Sequence, residues 1–595
     1  MSAQASARRR WPLGKNPHFR SRKGAILVLS AFLMVFLMAI IAFAVDLGYI
    51  MNVQSELKRA TDAAALAGAG ALVDGTDKAE IQAFEYIARN PAGGKSYAAK
   101  DKDGNTVTVA DATWCDYLPS LLSQNRNNFV VQWGHWDPDT RTFTQSNDLP
   151  STLRVVASQN DTPLFFARIL GHNSFDAQSE SIARFQPRDI VLVLDFSRSM
   201  NFDSQLLRIN EYGEDSRAAV ETNLREIYED LGSPAYGSLQ FTPEFLTVVG
   251  AAPTNGSMPQ ITVTFRSSDV YVVSTKDLSN VVLGFSNGAT QKFEGLSGKT
   301  GTFRGTGSNA SKRIDKVWVK SGSNASGEGP GYGERFEDTT TVIKRVFGLS
   351  NLPYPYPVGS WDEYINYVKS DSDVNATGYR KKYGLLTMIN YWLDSRAGNW
   401  ETPDLWKARV QPITAVKDSV TVFLDYIQEV DCDDRVGLAI YNSPNATALV
   451  EQTLTHDLPV VGDTVKHRQA GHYNYSTNIG AGLEKGIQEL DAHARKGAFK
   501  MIVLMTDGNA NVPYSESYAR SYALQQAQLA ASKGYPIATI SLGCDADTGL
   551  MQEVADATKS VHFNIPGTAQ VQNYSAQLRE IFHKIAKDRP LALVK

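Results

Sequence analysis

From Ala25 to Val45 the chain runs for 21 residues without a charge, and Ser30 carries the only hydroxyl. At a rise of about 1.5 Å per residue, a helix of that length covers the roughly 30 Å of hydrocarbon in a bilayer. The flanks are unequal. Arg8, Arg9, Arg10, Lys15, Arg20, Arg22 and Lys23 precede the run, no acidic residue occurs among the first 45, and Asp46 follows it directly. Basic flanks stay on the cytoplasmic side. The reading is therefore a cytoplasmic tail over 1–24, one membrane-spanning helix over 25–45, and everything beyond Asp46 periplasmic or extracellular. A cleaved secretory signal competes with this. The run is longer than an ordinary signal core and its helical pattern continues unbroken, which favours a retained anchor.

At 595 residues the chain is too long for a single core, so several domains are expected. A formal net charge of −4 gives no reason to expect nucleic acid as a partner. Cys115, Cys432 and Cys544 are too few and too scattered for a disulfide framework or a zinc site. Cys432 and Cys544 fall in what is read below as one domain, and a bridge between them is left open.

The chemistry is concentrated where the apolar run Ile190–Leu194 ends in Asp195-Phe196-Ser197-Arg198-Ser199. A carboxylate and two hydroxyls on alternate residues, just past a buried strand, present three oxygens to one point, as a hard cation such as Mg²⁺ requires. Taken alone, the pentapeptide is equally an Asp capping a helix. Two later segments change the balance. Tyr475-Ser476-Thr477-Asn478-Ile479-Gly480-Ala481-Gly482 is a polar, Gly-rich turn opening the amphipathic run Leu483–Leu490, and Lys500–Thr506 is a second buried strand that ends in Asp507-Gly508. In an open parallel sheet, ligands gather beyond the carboxyl ends of the strands. Three loops in that position can meet at one site, where Asp195, Ser197, Ser199, Thr477 and Asp507 would supply five oxygens and leave a sixth position open.

This arrangement resembles the metal-ion-dependent adhesion site (MIDAS) of von Willebrand factor A domains. The resemblance covers Arg188 to Ser199 and roughly Lys407 to Ala586, with the three motif segments in order. It implies that Asp195, Ser197, Ser199, Thr477 and Asp507 hold Mg²⁺ or another divalent cation such as Mn²⁺ or Ca²⁺. It also implies a protein partner that completes the coordination with an Asp or Glu carboxylate. The intervening segments agree: a helix over 410–430, strands over 435–441 and 536–542, helices over 517–532 and 548–558, a short strand over 561–565 and a final helix over 571–587. Strands alternating with helices of this length predict a doubly wound parallel sheet, whose helical stripes are core.

A second resemblance begins at Gly24, just before the apolar run, and continues through Asp46-Leu47-Gly48 and the Ala-rich segment Gln54–Ala69. These features, over about 20–73, are similar to the N-terminus of TadE/TadG-type proteins of the tight-adherence (Flp) pilus assembly system. Pilins cut after such a glycine carry Glu at the fifth mature position, where this chain has Leu29. The resemblance implies a cell-envelope protein connected with pilus assembly and a retained anchor. The Ala-rich stretch is also simply a good helix former that extends the anchor.

Between these motifs, short β-like runs at Phe129–Gly134 and Thr152–Ala157, with a helix expected over 163–169, predict a small α+β periplasmic domain within 46–187. Residues 201–406 are read as an insertion into the A-like domain, which then consists of 188–200 and 407–595. Within the insertion, 259–335 alternates like a β-sandwich, and a helical run is expected over 382–393. The fold class is thus α/β, with a single anchor, an α+β stalk domain and a doubly wound sheet interrupted by a β-rich insertion.

Catalysis is not expected. The nine histidines are dispersed, no His-Glu-x-x-His occurs, and the predicted metal loops carry no obvious general base. The preferred reading is a single-pass cell-envelope protein of pilus assembly or adhesion that binds a partner's carboxylate through its metal. A periplasmic scaffold whose metal only ties loops together is one alternative. A glycan-binding module built on the insertion is the other.

Overall fold

The computed structural model describes residues 23–95, 98–100, 103–108, 114–137, 140–147, 150–252, 258–322, 333–430, 433–496, 498–567, 574–587 and 589–595. Residues 1–22 of the basic tail, Cys432 and the first residues of the helix expected from 571 lie outside the described residues. The chain forms two units: one runs to Phe185 and includes Leu591–Lys595, the other is Gln186–Pro590.

In the first unit a single helix, Lys23–Ala71, contains both the apolar run and the Ala-rich segment. Its first part is long and apolar enough to cross a membrane, and Ile26, Phe32, Phe36 and Phe43 are exposed. Beyond Asp46 the helix becomes amphipathic. Val53, Leu57, Ala60 and Ala64 are buried at steps of four and three residues, which places them on one face. That face packs on the strand Ser174–Phe185, where Thr61 Oγ1 lies 2.9 Å from Ser179 Oγ and Lys58 Nζ donates to the Glu180 carbonyl at 2.9 Å. Small residues set the spacing to the next helix, Thr76–Arg89: a Cβ on Gly68 would come within 2.8 Å of Ala83 Cβ. The alanines are therefore packing residues as well as helix formers.

Five antiparallel strands form the main sheet of this unit, in the order Leu591–Leu593, Ser174–Phe185, Thr152–Pro163, Phe129–Asp137, Thr142–Gln145. The helix expected over 163–169 does not form. The Thr152–Pro163 strand runs through Pro163, and only a short 3₁₀ turn, Ala167–Leu170, follows. The Asp46 carboxylate explains this, because it accepts hydrogen bonds from the amides of Phe165, Phe166 and Ala167, and Gly171 (φ 90°) closes the turn in a left-handed conformation. The chain's last residues return to this sheet rather than ending beside the helix Ser575–Lys587.

The second unit is built on six strands in the order Thr447–Thr455, Arg435–Ser443, Arg188–Leu194, Phe499–Thr506, Ile537–Leu542, His562–Ile565. All neighbours are parallel except the Thr447–Thr455 edge, which is antiparallel. Arg188–Leu194 lies in the middle, and all seven of its residues are buried. Its side chains alternate between two cores. Ile190, Leu192 and Leu194 pack with Val416, Phe423 and Phe582 on one face, while Val191 and Val193 pack with Leu483 and Ile487 on the other. Burying each such aliphatic side chain is worth about 1.5–3 kcal/mol before entropy is counted. Helices Ile413–Val430 and Ser575–Lys587 cover the first face, and Ile479–His493, Glu516–Lys533 and Thr548–Ala557 the second. This is the doubly wound α/β arrangement that the sequence pattern predicts.

Early in the 201–406 segment lie two helices, Leu207–Tyr212 and Arg217–Asp230. Two antiparallel sheets follow. One has five strands, including Ile261–Phe265 and Asp269–Ser274; the other has four, including Leu278–Phe285 and Ile314–Ser321. The helix expected over 382–393 spans Leu385–Ser395. Val263, Val281, Val317 and Phe336 belong to the same buried cluster as Ile190 and Phe423, so the insertion and the parallel sheet share one core.

Candidate metal centre

Strand order reverses on either side of Arg188–Leu194, since the chain next adds Arg435–Ser443 on one side and later Phe499–Thr506 on the other. Such a switch point is where open α/β sheets bind ligands. In the parallel register Leu194 stands opposite Met505, so Asp195 and Asp507 leave adjacent strands at nearly the same level.

Local geometry holds the first loop tightly. Ser197 N donates to Asp195 Oδ1 at 2.8 Å, and Thr506 Oγ1 donates to Asp195 Oδ2 at 2.8 Å. The Phe196 side chain is buried, and its carbonyl accepts from Gly471 N at 2.7 Å. In the second loop, Thr477 N donates to Asn511 Oδ1 at 2.9 Å and the Thr477 carbonyl accepts from Asn511 N at 3.0 Å. Asn478 caps the following helix through Ala481 N at 3.0 Å, so the loop and helix start are fixed together. Gly482, in the first turn of that helix, lies so near the sheet that a Cβ would stand 2.5 Å from Tyr441 Cδ1. Close packing, as well as the turn, accounts for this Gly-rich stretch.

The predicted residues converge. Ser197 Oγ lies 2.8 Å from Ser199 Oγ, and Ser199 Oγ donates to Asp507 Oδ1 at 2.7 Å. A Cβ built on Gly508 would lie 3.3 Å from Ser199 Oγ and 3.9 Å from Thr477 Oγ1, so both hydroxyls face the same small space. A cavity of about 340 Å³ opens over them, edged by Arg198, Ser199, Tyr475, Thr477, Asn509 and Asp545. Trp400, from the end of the insertion, stacks on Tyr475 at 6.2 Å between ring centres, and Tyr475 Oη donates to Glu401.

The electrostatics are those of an acidic pair short of countercharge. Burial pushes the Asp195 carboxyl above its ordinary value. Asp507 is pushed up further, by burial first and then by the negative charges of Asp195, Asp203 and Asp545. Arg198 does not neutralise them: its Nη1 donates to the Asp394 carbonyl at 2.7 Å and its guanidinium lies over the Tyr475 ring. An all-oxygen donor set around two buried carboxylates suits a hard divalent cation.

Sequence reasoning missed a neighbouring acidic network. Arg208 Nε donates to Asp203 at 2.6 Å, its Nη2 to Asp545 at 2.9 Å, and its Nη1 to Cys544 Sγ at 3.1 Å and to Glu211. Glu211, Cys544 and Asp545 are close enough together to hold a metal, but the guanidinium already supplies the cation. Arg208 stands in the insertion, so no local pattern linked it to Asp545. Cys544 is exposed and forms no disulfide among the described residues. The spacing Gly284-Phe285-Ser286-Asn287-Gly288 matches that of a nucleophile elbow. It turns between two strands, Leu278–Phe285 and Thr290–Glu294, and so lacks the strand-to-helix context that such a serine needs.

Residues 406–577 match the family profile of the von Willebrand factor type A domain, which defines the class of the parallel-sheet unit. The match omits Arg188–Ser199, which the insertion separates in sequence and the sheet restores to its centre. Residues 24–71 match the TadE/G-like Flp pilus-assembly family and residues 67–183 the Tad-like Flp pilus-assembly family. Together the three matches are those of a TadG-like Flp pilus-assembly protein with a von Willebrand factor A domain. Among solved structures, BatB from Bacteroides thetaiotaomicron is similar at 15% identity over 30% of this chain and 89% of that one, with a TM-score of 0.25. An aerotolerance-related membrane protein from Bacteroides fragilis is similar at 16% identity over 30% and 90%, with a TM-score of 0.24. The PilB minor pilin from Streptococcus sanguinis is similar at 11% identity over 62% and 98%, with a TM-score of 0.26. No curated protein matches the chain.

Proposed function

We propose that this is a single-pass cell-envelope protein of Flp pilus assembly or adhesion, whose A-like domain binds a protein partner through a divalent cation. Its bulk lies on the periplasmic or extracellular side, and Asp195, Ser197, Ser199, Thr477 and Asp507 hold the ion. The observation that carries the reading is the pair of buried carboxylates, Asp195 and Asp507, at the ends of adjacent parallel strands, linked through Ser197 and Ser199 and opposed by no basic side chain among the described residues. A divalent cation there would relieve the repulsion. With only two carboxylates among five donors, it would remain electron-poor and favour an anionic oxygen from outside. The partner class follows: a protein presenting an Asp or Glu carboxylate into the cavity beside Thr477 and Tyr475.

The test is Mn²⁺ or Mg²⁺ binding to the detergent-solubilised full chain by calorimetry, compared with Asp507→Asn. Saturable binding of one ion to the wild type, lost in the variant, is the expected result, together with chelator-sensitive capture of envelope proteins. Equal binding by both would remove the site. Ion binding without any chelator-sensitive partner would favour the second reading, a metal that only ties the loops, for which the existing Ser199–Asp507 link between loops speaks.

A further inference from the structure

The strand-to-strand turn at Leu164–Gly171 carries apolar side chains where a soluble protein would place polar ones. Ile169 is 85% exposed and Leu170 81%, and Phe165 and Phe166 are also exposed. This turn sits beside the long helix at the point where its apolar run ends, because Asp46 Oδ1 and Oδ2 accept from the amides of Phe165 (2.8 Å) and Ala167 (2.6 Å). Below that clamp, a groove of about 240 Å³ is bounded by Ala39, Ala42 and Phe43 of the helix and by Phe166, Ile169 and Leu170 of the turn. Ala39 precedes Asp46 by seven residues, about 10 Å along a helix axis. The tip of the turn therefore reaches alongside the last part of the apolar run rather than stopping at its end.

We propose that the Leu164–Gly171 turn dips into the leaflet at the Asp46 end of the span, its groove taken by a lipid acyl chain. The occupant follows from continuity. The exposed side chains of the turn extend one apolar surface that begins on residues 25–45, and a bilayer that covers those residues covers Ile169 and Leu170 as well. The single charge between Leu164 and Gly171 is Arg168, a side chain whose apolar stem lets its head rise to the headgroup layer. Asp46 fixes the depth. Its carboxylate holds the turn's amides, which would otherwise meet hydrocarbon unpaired. The chain thus grips the membrane at two points, and the inference rests on reading 25–45 as the span.

The experiment uses the full chain with its three cysteines changed to Ser, Ile169→Cys labelled with NBD, and reconstitution into phosphatidylcholine vesicles. Tyr514→Cys, at a position 90% exposed, is the aqueous control. Flotation with the vesicles comes first, and its failure overturns the span reading together with this one. In floating samples, the 169 label is expected to lose at least half its fluorescence to doxyl-labelled lipid and to resist aqueous dithionite several-fold longer than the 514 label. Reduction of both labels at one rate would overturn the insertion and leave the span standing. Protection from dithionite without quenching by doxyl lipid would also overturn it, because a protein and not lipid would then cover the turn. Leu170→Cys repeats the measurement at a second position.

Discussion

Ser199 Oγ donates to Asp507 Oδ1 at 2.7 Å, although 308 positions separate the two residues. That bond joins the loop after the central strand to the loop after its neighbour. It places a neutral hydroxyl against a carboxylate whose proton affinity is raised by burial and by Asp195. The two loops are thereby tied to each other by their own side chains.

Metal removal is expected to read out as stability. A bound ion stabilises by RT ln(1 + [L]/Kd), about 2.7 kcal/mol at a hundredfold excess over Kd. Chelator should lower the melting temperature of the second unit in the wild type and leave Asp195→Ala and Asp507→Ala almost unchanged. If chelator shifts all three proteins alike in scanning calorimetry, these aspartates do not hold the ion.

Gly482 tests how the second loop is positioned. A Cβ there would stand 2.5 Å from Tyr441 and 2.9 Å from Val193, so Gly482→Ala should push the Ile479–His493 helix off the sheet. The expected cost is about 1–3 kcal/mol, the range for overpacking a core, read as a lower denaturant midpoint. An unchanged midpoint would show that the helix yields freely.

Asp434 anchors the amino end of the central strand. It accepts from Arg188 N and Nη2, each at 2.8 Å, and pairs with Arg589 Nη1 at 3.0 Å, with all three side chains fully buried. Asp434→Ala leaves two guanidinium groups buried without their carboxylate, and a loss of about 3–5 kcal/mol is expected. A loss below about 1 kcal/mol in urea titration would mean that water reaches these groups.

Lys417 gives a pH signature. Burial pushes its ammonium down to about 7, against roughly 10.4 in an unfolded chain, and its Nζ donates to the Trp406 carbonyl at 3.0 Å. Between these values the unfolded state binds the extra proton, so this lysine's penalty is largest at pH 7 and below and fades as pH rises toward 10. Lys417→Met should therefore melt higher than wild type at pH 7, and the gap should close by pH 10. A gap that does not change with pH would count against the buried charge.

The parallel sheet and the loop that leaves its central strand were legible because their signals are local. Ile190–Leu194 has no polar interruption, and Asp195, Ser197 and Ser199 lie within five residues of one another. The elements that escaped reading have non-local causes. The edge strand Thr447–Thr455 is half polar, because only one side of it meets the core. The Leu164–Leu170 stretch looks helical by composition, yet Asp46, more than a hundred residues earlier, takes its amides. Arg208 meets Asp545 across 337 positions, a pairing no sequence window contains.

The return of the chain at Leu591–Leu593 has a mechanical consequence. Phe185 and Leu591 are paired neighbours in one sheet, and Gln186 N and the Pro590 carbonyl bond to each other at 2.8 Å just beyond them. The whole of 186–590 is thus spliced in sequence between two adjacent strands, so both of its ends are tied to the first sheet. Load on the second unit would divide between the covalent path through Phe185 and the ladder that holds Leu591–Leu593. Only the second of these paths can yield by losing hydrogen bonds, because the first is the peptide chain itself.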